Sequence, residues 1–201
     1  MGNSEPKKGL KNLFKIKWDS SLYFLIATNI IIIILAVIKK FDFPTILFVY
    51  WCQSVIIGFF NFIRILSLKN FTEEKVPTKA ARGYAIFSAF FFLIHFWGFH
   101  LVYLIFLLSI AKPNFTFIST IILSAGLLFI NHLFSFIKNF KHDTEKKQDI
   151  GKVMSFPYAR ILPMHLTIMF GLFLVGNKGI IFFLILKTIA DVIMHNREHQ
   201  D

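Results

Sequence analysis

The chain has 201 residues, 56% of them hydrophobic with 27 Phe, a mean hydropathy of +0.64 and a formal net charge of +11. A water-soluble domain of this size has too little interior to hide that much apolar surface, so composition excludes one and points to lipid as the solvent. The positive charge would fit nucleic acid in a soluble chain. Here Lys and Arg instead fill the short segments between apolar runs, the placement that sets membrane topology, and nucleic acid is not expected as a partner.

Residues 1–19 form a basic N-terminal segment carrying Lys7, Lys8, Lys11, Lys15 and Lys17. Leu10, Leu13, Phe14 and Trp18 recur at helical spacing, so the segment reads either as a short amphipathic helix on the membrane surface or as a basic tail. Lys39, Lys40, Phe41 and Asp42 follow the first apolar run where a secretory signal would carry small residues, which predicts a retained anchor.

Six apolar runs follow: Ser20–Ile38, Phe43–Leu68, Tyr84–Ala111, Phe115–Ile137, Pro157–Val175 and Gly179–His195. Each is near the ~20 residues a bilayer requires. The expected fold is therefore all-α, a polytopic membrane protein with a six-helix domain over 20–195 and a short C-terminal segment at 196–201. Fifteen of the 22 Lys and Arg lie in the N-terminal segment, the two long loops and the C-terminus, against four in the tight connections. That bias predicts both termini and both long loops in the cytoplasm. The single cysteine, Cys52, lies inside a run, so no intrachain disulfide forms.

Polar residues inside the runs are the candidates for function. In the second run Tyr50, Gln53, Asn61 and Arg64 fall within about an 80° sector of a helix. Gln53 suits an interhelical hydrogen bond, and Arg64 suits a side chain snorkelling to the interface. The third run carries His95 and His100 on different faces, with Gly98 between them to permit close helix approach. In the fourth, Thr120, Ser124, Asn131 and Ser135 form a small and polar packing stripe, with His132 about 100° away. Pro163 is expected to kink the fifth helix beside His165, which lies about 12 Å from its cytoplasmic edge.

The last run holds Lys187, Asp191, His195 and His199 at four-residue intervals, one stripe on a helix. Asp191 is the only acidic residue in any of the six runs. Charged groups in lipid call for partners. In the simplest reading Lys187 neutralises Asp191 and the set fixes helix packing. In a second, His165, Asp191 and His195 hold zinc or iron, with His132 and His199 as alternates and Asn61, Arg64 and Lys187 in support. The ending His195-Asn196-Arg197-Glu198-His199 spells H-x-x-E-H, a metalloprotease pattern with only Gln200 and Asp201 after it. In a third, carboxylate and histidines relay protons or ions in a transporter or channel protomer. A lipid-modifying enzyme has no specific marker. The partners expected are the bilayer, an ion or small-molecule ligand, and further copies of the chain.

Several segments together resemble an uncharacterised family of prokaryotic multipass membrane proteins, the domain of unknown function numbered six-four-nine-eight. The likeness rests on Tyr50-Trp51 with Gly58 and Asn61, and on His95 with Gly98. It continues through Pro157-Tyr158-x-Arg160, His165-x-Thr167, Phe170-Gly171 and Lys187-Thr188, and ends with Asp191, His195 and Glu198-His199. The family pattern has an acidic residue and Asn after the Tyr-Trp pair, where this chain has Gln53-Ser54. The resemblance implies a membrane protein and supplies no reaction.

Overall fold

The structure is a computed structural model that describes residues 18–69, 80–170 and 177–198, and their side chains except at 110–111, 163–170, 177–182 and 196–198. The amphipathic reading of the N-terminal segment and the histidine at position 199 lie outside the described residues. What is described is all-helical: α1 (Ser20–Ile38), α2 (Phe43–Ser67), α3 (Ala81–Phe106), α4 (Ile118–Glu145), α5 (Ile150–Phe170) and α6 (Asn177–Glu198). Among the described residues four helices, α1 to α4, are long and apolar enough to cross a membrane.

Local sequence sets the helix ends. Asp19 caps α1 by accepting the Leu22 N–H at 2.9 Å, and Asp42 caps α2 by accepting that of Thr45 at 2.9 Å, with Pro44 in the first turn where no donor is needed. Between them Lys40 turns the chain with φ of 52°, and the Phe41 N–H closes on the Ala36 carbonyl at 2.9 Å. α3 ends in a π turn, Leu107–Ala111, and a 3-10 turn, Phe115–Phe117, leads into α4. α4 continues for two turns beyond its apolar run, to Glu145, and α5 begins at Ile150, seven residues before its run.

Five helices close a ring: α1 packs on α4, α4 on α2, α2 on α5, α5 on α6, and α6 back on α1. α3 lies outside the ring against α2 and α5. Its buried residues, Ala85, Ser88, Ala89, Phe92, Phe96 and His100, form one stripe at helical spacing. The rest of its surface is apolar and exposed, as at Phe87, Phe91, Ile94 and Val102. A water-soluble protein does not leave such a face bare, whereas lipid solvates it.

Tight packing occurs where α2 meets α3. A Cβ at Gly58 would overlap the Phe96 ring, so the missing side chain lets the two helices approach. The expectation for Gly98 is corrected: nothing lies within 4 Å of where its Cβ would be, and the close approach is at Gly58. One helix runs through Pro163 from Ile150 to Phe170, so that proline does not end it.

The ends of the bundle differ. Charged side chains link helix ends at one of them: Lys138 to Asp19 at 2.9 Å, Lys69 to Glu145 at 3.6 Å, and Arg82 to the Leu66 carbonyl at 2.6 Å. The other end is closed by small polar and aromatic contacts, including the Asn114 N–H on Thr45 Oγ1 at 2.9 Å and Phe41 against Phe117.

Candidate functional site

The interior of the ring is polar at its centre. α6 places Lys187 and Asp191 one turn apart on the same face, and both are buried, at 6% and 1% exposure. The Lys187 ammonium donates to Asp191 Oδ2 and to Gln53 Oε1, and lies 3.4 Å from Asn29 Oδ1. Asp191 Oδ2 in turn accepts from Gln53 Nε2 at 3.2 Å and lies 3.5 Å from Asn29 Nδ2.

Each amide therefore turns its oxygen to the cation and its nitrogen to the anion. Only a side chain with a donor and an acceptor on one planar group does this, and it replaces for both ions part of the water lost on burial. The Tyr50 ring lies under the ammonium, 4.1 Å from Nζ to centroid.

From this pair the polar contacts run toward the charged end. Gln53 Nε2 is 3.2 Å from His132 Nε2. An amide nitrogen only donates, so this imidazole nitrogen is the acceptor and the ring proton sits on Nδ1. His132 also lines a cavity of about 30 Å³, together with Asn61, Arg64, Ser135, Arg160 and His195. That is room for about two waters. Beyond it Arg64 pairs with Asp143 at 2.8 Å, and both are buried. Asn61 Nδ2 donates to the Val153 carbonyl at 3.1 Å, while its Oδ1 is buried without a hydrogen-bond partner.

The sequence-derived candidates fall as follows. Gln53, Lys187, Asp191 and His132 are brought together, and Asn61, Arg64 and His195 line the adjacent cavity. His195 is buried and lies 3.9 Å from Asp19, the N-cap of α1. The snorkelling expected of Arg64 is corrected: the extension of α4 beyond its apolar run delivers Asp143 as a buried partner. Among the described residues no three His, Cys, Asp or Glu side chains gather as a metal site. The side chain of residue 165, the expected third metal ligand, lies outside the described residues.

His95 stands apart, its Nδ1 2.6 Å from the Tyr158 hydroxyl on the outer side of the ring, and His100 Nδ1 donates to the Phe96 carbonyl at 2.8 Å. Asn29, Arg160 and Asp143 are not among the sequence-derived candidates. For Asn29 a signal exists: with Thr28 it interrupts an otherwise apolar run of α1. Asn131 Nδ2 reaches that Thr28 hydroxyl at 3.3 Å, which ties α4 to α1 beside the central pair.

Residues 14–201 match the model of a family described as a family of unknown function (DUF6498). No curated protein and no solved structure matches the chain.

Proposed function

The chain belongs to the DUF6498 family of unknown function, and we propose that it is a six-span prokaryotic plasma-membrane protein whose buried centre takes up and releases a proton or small ion. The observation that carries this reading is the Lys187–Asp191 pair, held inside the ring by Gln53 and Asn29 and connected through His132 to a hydrated-size cavity. Burying two charges costs several kcal/mol per ion before their attraction offsets it, and ionisable groups within membrane spans concentrate on ion pathways.

The chemistry follows from the hydrogen bonds. A proton on Asp191 cancels the attraction that holds Lys187, and the two amides must then turn to new partners. Each protonation state thus favours its own arrangement of α1, α2 and α6. Support for six spans comes from α5 and α6, which have 21 and 22 residues and complete the ring. Support for cytoplasmic termini comes from the Lys and Arg bias toward the end where α1 begins and α6 finishes. At that end the cavity and the Arg64–Asp143 pair also lie.

A zinc or iron centre on His165, Asp191 and His195 is less favoured, because the Lys187 ammonium already takes the cation position beside Asp191. A purely structural centre is the second reading, favoured by the three partners that Asp191 already has. The test is flux in proteoliposomes loaded with a pH-sensitive dye, across a panel of monovalent ions. Wild-type protein is expected to carry a proton- or ion-dependent flux that Asp191→Asn lowers by at least about tenfold, the change given by roughly 1.4 kcal/mol. Absence of flux across the whole panel refutes the reading.

A further inference from the structure

Where α3 meets α5 on the outside of the ring, a groove of about 240 Å³ opens sideways. Its walls are Phe99 and Tyr103 of α3 and Tyr158, Ile161 and Leu162 of α5, with Phe99 and Leu162 exposed. α3 is one of the four described helices long and apolar enough to cross a membrane, and in a bilayer this groove opens to lipid.

A polar pair stands at the edge of the groove. His95 is exposed on α3, and its Nδ1 is 2.6 Å from the Tyr158 hydroxyl. Phe91 stacks on the imidazole, nearly parallel at 5.7 Å, and Phe99 meets it edge to face at 5.0 Å. Tyr158 is held in turn by the rings of Phe92 and Phe96, at 6.0 and 5.4 Å. Phe99 and Tyr158 thus both line the groove and orient the imidazole. A phenol O–H is a stronger donor than an imidazole N–H, so Tyr158 donates to Nδ1 and the ring proton sits on Nε2. That N–H has no hydrogen-bond partner among the described residues.

His95 lies about 21 Å along α3 from Ala81, in a helix of 26 residues, which is near mid-membrane. There is no water at that depth, and phospholipid head groups and their ester carbonyls lie at the interface. An imidazole is too short to reach them, as Lys and Arg do. An N–H bared to hydrocarbon is costly and calls for an acceptor dissolved in the membrane itself.

We propose that the groove binds the head group of a membrane-soluble quinone, one ring carbonyl accepting a hydrogen bond from His95 Nε2. A quinone is neutral, so it enters the bilayer interior where a fatty acid or phospholipid keeps its charged head at the surface. Its flat ring suits walls made of Phe99, Tyr103 and Tyr158. A plain hydrocarbon chain fills the same space without offering an acceptor. The inference rests on α3 lying in the membrane and not on ion exchange at the ring's centre, from which α2 and α5 separate the groove.

The test uses full-length protein in phospholipid nanodiscs, titrated with decylubiquinone and followed by infrared difference spectroscopy against empty nanodiscs. Wild-type protein is expected to bind it saturably, with one carbonyl band moved to lower frequency by the hydrogen bond, and decylbenzene, which has no carbonyl, is not expected to displace it. His95→Phe keeps the aromatic stack and is expected to weaken binding about tenfold and to lose the shifted band. Leu162→Trp, which fills the mouth of the groove, is expected to abolish binding. No saturable shifted band with wild-type protein overturns the proposal, as does undiminished binding in both variants. A dimer that His95→Phe dissolves, formed without quinone binding, would give the imidazole to a second copy of the chain and also overturn it. No step reads flux, so failure here is distinct from failure of the proton or ion reading.

Discussion

Lys187 and Asp191 depend on each other, so their removal one at a time and together gives different results. Lys187→Met takes the ammonium away from a carboxylate buried at 1% exposure, leaving the Gln53 and Asn29 amides beside it. It is expected to cost about 3–5 kcal/mol, read as thermal or denaturant unfolding in detergent. The double variant Lys187→Met with Asp191→Leu removes both charges and is expected to recover at least half of that loss, a coupling that a double-mutant cycle measures directly. The sequence made this pair legible, because two opposite charges four residues apart in an apolar run have few other readings. Gln53 was legible as an interhelical hydrogen-bonding residue, but its grip on both ions was not, since that depends on α2 and α6 facing each other. Arg64 looks interfacial in the sequence because its partner, Asp143, lies outside every apolar run and is brought in only by the length of α4.

Helix ends and helix contacts carry their own consequences. Gly58→Ala pushes a methyl group into the Phe96 ring and is expected to destabilise the α2–α3 contact by about 1–3 kcal/mol. Phe96→Leu in the same chain should relieve part of this, which unfolding of the single and double variants checks. At the start of α1, partial burial pushes the Asp19 carboxyl up. Hydrogen bonds from Lys138 and the Leu22 N–H, with the charges of Lys138 and His195, outweigh that and hold it below the usual carboxylate range. The stability Asp19 adds is therefore complete above the unfolded value of 3.8 and is lost as pH falls through the lower folded value. Asp19→Asn is expected to be less stable than wild type above about pH 4, with the gap closing at lower pH. Among the described residues each of the six α-helices overlaps one of the apolar runs, yet α4 and α5 extend beyond their runs. Hydropathy detects the part of a helix that meets apolar surroundings, while hydrogen bonding and side-chain links carry the helix into its charged turns.

At the scale of the molecule, the described residues form a five-helix ring with a polar centre and α3 applied to one side, its outer face apolar. Neither the ring nor the role of α3 is written in periodicity, because α3 is as apolar as its neighbours and only its single buried stripe marks it as peripheral. The charge bias predicts one orientation. Cysteines introduced at Lys69 and Lys138 in a chain with Cys52→Ala are expected to resist a membrane-impermeant maleimide in intact cells and to react after permeabilisation, and one at Lys112 to react in both. The reverse pattern contradicts that topology. The central claim is that the ring's interior exchanges a proton or ion, and the Lys187→Met, Asp191→Leu double variant tests it most directly, since it removes both charges while restoring much of the stability. Reconstituted beside wild type at matched, folded density, it is predicted to show no proton- or ion-dependent flux where wild type does. Flux equal to wild type from that charge-free centre would contradict the account.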